Sequence, residues 1–303
     1  MKRLLCVLMV LLLLPAGTLA ETVVTSFYPI YLFTLNLTQG MDGVEVHNMA
    51  DVNTGCLHDY QLQTSDMKLL AKADVFLING AGMEGYLSSV TGAFPALTVV
   101  DASQGVALLD ADTEGVDTAH GHDHDHDHAG AYNAHMWLDA ANAQIMVGNL
   151  AQGLMDAMPD RAEAIAANRD AYQARLMELD TQLKEALAEL PHKDIITFHE
   201  AFPYFANAYG LHVAAVVNRD PSDALSPARL AELVNTVKEL GTPPLFVEPQ
   251  YEDMVARTLA SETGAKVYEL DPVVTGPAED IPLTYYEDVM RQNMNTLVEA
   301  LSE

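Results

Sequence analysis

The chain has 303 residues, half of them hydrophobic, with 43 Asp and Glu against 15 Lys and Arg and a formal net charge of −28. A surface that acidic repels phosphate backbones and anionic lipid heads and draws cations towards it, so nucleic acid is excluded as a partner. The length suffices for two domains, each with its own core.

Residues 1–20 read as a cleaved signal peptide. Lys2 and Arg3 give a positive start, residues 4–14 are apolar, Pro15 and Gly17 break the run, and Thr18-Leu19-Ala20 offers a small-residue cleavage site. The apolar run falls short of the ~20 residues that a membrane span needs. Cys6 lies inside it, so no lipid-modification site is recognised and the protein is expected on the periplasmic or extracellular face of the membrane. Without Lys2 and Arg3, 13 basic residues stand against 43 acidic ones, a net charge of −30. Cys56 is then the only cysteine left, which leaves no intramolecular disulfide to form.

After the signal, short β-branched and apolar runs alternate with helical patterns. Residues 21–26, 44–50, 75–79 and 97–101 read as strands, and 64–72 as a helix opened by a Thr-Ser-Asp cap. Asp139 starts a further helix that Pro159 ends or kinks. In residues 160–190, Ile165, Tyr172, Leu176, Leu179, Leu183, Leu187 and Leu190 form a seam at three-, four- and seven-residue steps, and Pro191 stops it. A helix of those 31 residues would measure about 46 Å. Strands then resume at 194–198, 213–217, 245–248 and 266–270, with helices from near Glu200, Ser226 and Asp253 and a last one from about Tyr285.

The expected fold class is α/β, with two lobes that are each a parallel sheet flanked by helices, joined by one long rigid helix. The N-terminal lobe takes 21–158 and carries a histidine-rich loop at 119–130; the linker helix takes 159–190; the C-terminal lobe takes 191–303.

Five of the eleven histidines fall within nine residues, as His120, His122, His124, His126 and His128, alternating with Asp and Gly. Every position there is polar, charged or small, so the tract is a solvated loop, and imidazole beside carboxylate offers weak accessory ligands to a borderline cation such as zinc. Of the other six histidines, His58 follows the second strand, His135 precedes the helix at Asp139, and His199 directly follows a strand; Asp271 does the same. Ligands in open α/β sheets gather beyond the carboxyl ends of the strands, so a cleft between lobes could collect these four. Three imidazoles and one carboxylate suit Zn2+ better than calcium or magnesium. Spacing alone leaves open that each histidine is a capping or solvent-facing residue and that Asp271 merely starts a turn before Pro272. His47, His192 and His212 belong to that plainer class.

Several blocks appear in one order: Ser26-Phe27-Tyr28-Pro29, Gly-Cys-Leu-His58-Asp-Tyr-Gln-Leu-Gln-Thr-Ser-Asp66, Asn-Ala-His135-Met-Trp-Leu-Asp139, Phe-His199-Glu-Ala-Phe-Pro-Tyr-Phe205 with Tyr209-Gly210-Leu211, Val247-Glu248-Pro249-Gln250, and Leu-Asp271-Pro272. Over nearly the whole chain after the signal, this set resembles the zinc-specific solute-binding proteins of bacterial ABC importers, the ZnuA-like group within the metal-binding lipoprotein and adhesin superfamily. The resemblance implies a metal held between two lobes by His58, His135, His199 and Asp271, with Zn2+ as transported ligand, an ABC permease subunit as partner, a monomer, and no enzyme activity. Manganese-specific members usually place Glu where this chain has His199, so the resemblance favours zinc; an importer component for manganese or another divalent cation is the alternative. Cys56, two residues before His58, departs from the pattern. Its thiolate could reach the metal, but four ligands already complete the set, and a small half-buried residue is the plainer expectation.

Two other functions compete. In a secreted zinc hydrolase, His199-Glu200 would open a His-Glu-x-x-His helix, but the fifth position is Pro203, which cannot ligate. An adhesin or metal-storage protein would make the histidine tract the working element. Residues 79–83, Asn-Gly-Ala-Gly-Met, lack the full phosphate-loop pattern and read as a turn. Glu84 is either a cleft carboxylate or a solvated surface residue, and Arg219-Asp220-Pro221-Ser222 is a loop that could contact the permease.

Overall fold

A computed structural model describes residues 20–55, 57, 60–111, 132–217, 226–251 and 254–302. The signal segment up to residue 19, Cys56, His58, the histidine tract and the 219–222 loop therefore lie outside the described residues.

In the first half, β1 (Glu21–Thr25), α1 (Tyr28–Thr38), β2 (Val44–Asn48), α2 (Thr64–Leu70), β3 (Val75–Ile78), α3 (Leu87–Ala93) and β4 (Thr98–Asp101) follow one another, and the strands pair in parallel in the order β2-β1-β3-β4. Val23 stands opposite Val46 on one side and Val75 on the other. All four residues of β3 are buried, the unbroken apolar run that a sheet covered on both faces demands.

Two helices, α1 and α3, have no counterpart in the sequence reading. Nine of the eleven residues of α1 are buried, so it has no polar face and no helical period to detect. Pro29 fits its first turn, where a missing N–H costs nothing. Its polar side chains fold back on the backbone instead, Thr34 Oγ1 donating to Ile30 O at 2.7 Å and Thr38 Oγ1 to Thr34 O at 2.8 Å. The cap of α2 also differs from expectation: Gln63 is the N-cap, in a reciprocal capping box with Asp66, whose carboxylate accepts from Gln63 N at 2.7 Å.

Asp139 does cap the next helix, α4 (Ala140–Ala157), by accepting from Ala141 N at 2.8 Å. Residues Pro159–Arg161 wind as a 3-10 turn, and α5 (Ala162–Ala188) follows with 27 residues, about 40 Å long. It is shorter than the predicted 31 residues because its first turn is 3-10 and its end breaks before Pro191. Ile165, Tyr172, Leu176, Leu179, Leu183 and Leu187 form its buried seam, whereas Leu190 lies past the last turn. Lys193 Nζ closes that turn on Ala188 O at 2.9 Å.

The second half repeats the alternation. The strands β5 (Asp194–Thr197), β6 (His212–Val216), β7 (Leu245–Val247) and β8 (Val267–Glu269) run parallel in the order β6-β5-β7-β8, with α6 (Pro203–Tyr209), α7 (Pro227–Glu239), α8 (Met254–Thr263) and α9 (Tyr285–Leu301) around them. The order matches the first sheet strand for strand. Helix α6 starts three residues after the predicted Glu200, because His199, Glu200 and Ala201 form a turn. Helix α9 returns to pack on α5, α1 and β8.

One hydrophobic core runs from the first sheet through α4 and the α5 seam to α6, Leu270 and α9. A small second cluster of Ile196, Ala215, Val217, Leu233, Val237, Leu245, Leu259 and Ala265 fills the outer part of the second sheet. Among the described residues no helix is long and apolar enough to cross a membrane.

Candidate metal centre

His135 sits just before a 3-10 turn, Met136–Leu138, whose three side chains are fully buried. Trp137 pins that turn to the second half of the chain. Its ring meets Phe27 edge-on at 5.1 Å, its Nε1 donates to Pro272 O at 2.8 Å, and its carbonyl accepts from Tyr286 Oη at 2.6 Å. Asn133 Oδ1 accepts from His135 N at 2.9 Å and lies 3.0 Å from His135 Nδ1. An amide oxygen can only accept, so in the neutral ring Nδ1 carries the hydrogen and Nε2 the lone pair.

His199 leaves the carboxyl end of β5 and is buried. Its Nε2 lies 3.3 Å from Nε2 of His135, with the rings nearly perpendicular at 78° and 5.1 Å between centroids. Two imidazole nitrogens each ~2.0–2.1 Å from one tetrahedral ion stand about 3.3–3.4 Å apart. The two nitrogens thus stand apart by one edge of a zinc tetrahedron. Tyr251 flanks His199, ring to ring at 6.5 Å, and across from it a Cβ on Gly55 would lie 3.7 Å from Tyr251 Oη and 3.9 Å from Gln250 Cγ. Gly55 therefore lies against the Gln250–Tyr251 segment that flanks His199.

Asp271 follows β8. Asn293 clamps its backbone from both sides, accepting from Asp271 N at 2.8 Å and donating to Asp271 O at 2.7 Å. Asp271 Oδ1 accepts from Val273 N at 2.7 Å, which holds Val273 at φ +62°. This is the turn before Pro272 that spacing alone allowed. Burial pushes the Asp271 carboxyl up to about 6, opposed by the Val273 N–H and aided by Glu269. Nearby Glu248 is 2% exposed and is pushed up to about 8, first by burial, against the Gln250 amide and with Asp271 adding repulsion.

Of the four predicted ligands, the fold brings His135 and His199 into contact and sets Asp271 in the turn that Trp137 reaches through Pro272. Among the described residues, no three His, Cys, Asp or Glu side chains group to hold a metal ion; His58, Cys56 and the five tract histidines fall outside those residues. His212 forms an exposed pair with Asp194 at 2.9 Å, and His47 stands 3.7 Å from Glu45 at the surface.

Of the two readings left open for Glu84, burial removes surface solvation: it is 5% exposed, and its carboxylate accepts from Asn79 N at 2.8 Å and Gly80 N at 3.0 Å. It thereby closes the 79–83 turn, in which Gly80, Ala81 and Gly82 all have positive φ. The hydrolase motif also lacks its helix, since His199 precedes α6. Sequence reading missed Asn133, which was visible only as the first residue of the Asn-Ala-His block, and Glu248, visible only in Val-Glu-Pro-Gln.

Residues 23–300 match the protein family described as ZnuA, Zinc-uptake complex component A periplasmic. The chain is 32% identical over 285 residues to Zinc-binding protein AdcA of Streptococcus pyogenes, covering 91% of this chain and 55% of that protein. It thus spans about half the length of the AdcA proteins it matches. It is 32% identical over 283 residues to the High-affinity zinc uptake system protein ZnuA of Bacillus subtilis, covering 92% and 87%. The crystal structure of the Zn(II)-bound ZnuA-like domain of Streptococcus pneumoniae AdcA superposes with a TM-score of 0.76 at 27% identity, over 93% of this chain and 99% of that domain.

Proposed function

This chain belongs to the ZnuA family of periplasmic zinc-uptake components, and from that premise we propose that it captures Zn2+ outside the cytoplasm and delivers it to an ABC permease. The observation that carries this reading is the 3.3 Å approach of two Nε2 atoms from residues 64 positions apart. His135 and His199 supply two ligands, His58 the third and Asp271 the fourth, in a cleft between an N-terminal lobe (21–158) and a C-terminal lobe (191–303) joined by the 159–190 segment. Three neutral nitrogens and one carboxylate fit zinc and satisfy its tetrahedral preference. No bond is made or broken, so no general base is required, and the protein acts as a monomer that hands its cargo on. The tract at 119–130 serves as an accessory collector that raises local zinc beside the cleft.

Calorimetric titration of the metal-stripped protein with zinc and with manganese tests the reading. One tight site that prefers zinc is expected, and capture weakens as pH falls through the imidazole range near ~6.5, because the ligands must be unprotonated. Deleting residues 120–128 should leave that site intact. Several weak sites that vanish with the tract, with no loss on His199→Ala, would replace transport by storage.

A further inference from the structure

We propose that Asn133 is the positioning residue of this centre: one carboxamide sets the tautomer of His135 with its oxygen and ties the His199 turn to it with its nitrogen. The inference rests on the zinc reading of the site. Asn133 is buried, and both ends of its side chain are used. Oδ1 meets His135 N at 2.9 Å and His135 Nδ1 at 3.0 Å, while Nδ2 donates to Glu200 O, the residue after His199, at 2.8 Å. The orientation of the amide is fixed by these partners. Turned over, it would set NH2 against the His135 N–H and oxygen against a carbonyl.

The backbone of Asn133 is held just as fully. Its N donates to Leu109 O at 2.8 Å, and its O accepts from Tyr204 Oη at 2.9 Å. That hydroxyl in turn accepts from Leu109 N at 2.9 Å. Tyr204 belongs to α6, the helix that follows the His199 turn. Asn133 therefore lies between the strand-end segments of both halves with little freedom to move.

The consequence for metal capture is specific. With Nδ1–H committed to Asn133, the lone pair of His135 lies on Nε2, the atom that faces His199. The cation meets a ring that needs no proton shift, and the Glu200 bond holds the partner histidine at the matching distance. An aspartate at 133 would keep the acceptor for His135 but would turn an oxygen towards Glu200 O, so the two duties can be separated.

The test uses the full chain at about pH 8, where unperturbed imidazole is neutral, metal-stripped for the ring spectra and reloaded with zinc for the release measurement. Long-range 1H–15N correlation of the ring nitrogens reads the His135 tautomer, and release of zinc to a chelator reads retention. Native protein should show His135 as the Nδ1–H form. Asn133→Asp should keep that tautomer and release zinc roughly 10-fold faster, whereas Asn133→Ala should mix the tautomers and release it up to about 100-fold faster, the range for lost supporting bonds. An Asn133→Ala protein with one Nδ1–H tautomer and native release would overturn the inference. Should Asn133→Ala not fold, Asn133→Asp with unchanged release would overturn the cross-cleft half. Native protein that holds no tight zinc would defeat the zinc reading instead, and the tautomer spectrum would still decide the role of Asn133.

Discussion

The two sheets share one strand order, and each buries a glutamate beyond its third strand, yet the two carboxylates are wired differently. Beyond β3, Glu84 spends both oxygens on backbone N–H groups, Asn79 and Gly80. Beyond β7, Glu248 accepts from Gln250 Nε2 at 2.5 Å, and among the described residues its Oε1 finds no hydrogen-bond partner. Both are pushed up by burial, Glu84 to about 7 and Glu248 to about 8; the backbone donors hold the first one lower. The difference teaches where each lobe keeps its strand ends rigid. The first uses its carboxylate to lock a turn, whereas the second leaves a buried polar group beside the strand ends that bear His199 and Asp271.

The largest expected effect should not distinguish the halves at all. His135→Ala and His199→Ala, one from each, should each lower zinc affinity by orders of magnitude in calorimetry; loss from only one of them would mean that the two rings do not share an ion.

Stability should separate the glutamates. Glu84→Gln sets an NH2 group against a backbone N–H and should destabilise by about 2 kcal/mol in urea melts, the cost of a lost partner at a buried group. Glu248→Gln, which removes a carboxylate that burial opposes, should be neutral or stabilising near pH ~8. Equal losses would erase the contrast.

The pH dependence follows with a defined sign. A carboxyl whose folded value is raised contributes stability below its unfolded value near ~4.3, and that contribution is lost as pH rises through the folded value. Glu84 and Glu248 should therefore subtract stability between pH ~4.3 and about 7 and about 8 respectively. Melts of native protein and Glu248→Gln should diverge across that window, with the variant gaining as pH rises; parallel curves would contradict the assignment.

The smallest effect belongs to a histidine at the opposite end of a strand. His212 opens β6 and pairs with Asp194 in solvent. His212→Ala should leave zinc affinity unchanged and alter stability by no more than ~0.5 kcal/mol, as for other exposed pairs.

How far the sequence could be read depended on whether a residue's role was local. The β-branched runs announced all eight described strands, and the α5 seam was legible because its spacing is a property of one helix. Helix α1 was not legible, since burial on every side leaves no period. The Asp139 cap was visible from its place before a helix, while the Gln63 cap was hidden behind the better capping type at Thr64. In the site, His135 and His199 could be named from their blocks. Asn133 could not, because an asparagine two residues before a histidine has no chemistry of its own until a carbonyl from residue 200 closes its other side.

The amino-acid sequence determined what each segment would become and which side chains could bind a cation, because backbone period and donor chemistry are carried by neighbours along the chain. Tertiary structure alone decided that Nε2 of residue 135 meets Nε2 of residue 199 at 3.3 Å and that Glu84 turns inward. Periodicity tells a segment which face is apolar; only packing of distant segments chooses the partner that face will meet, and with it the distance between the two nitrogens on which the proposed metal site rests.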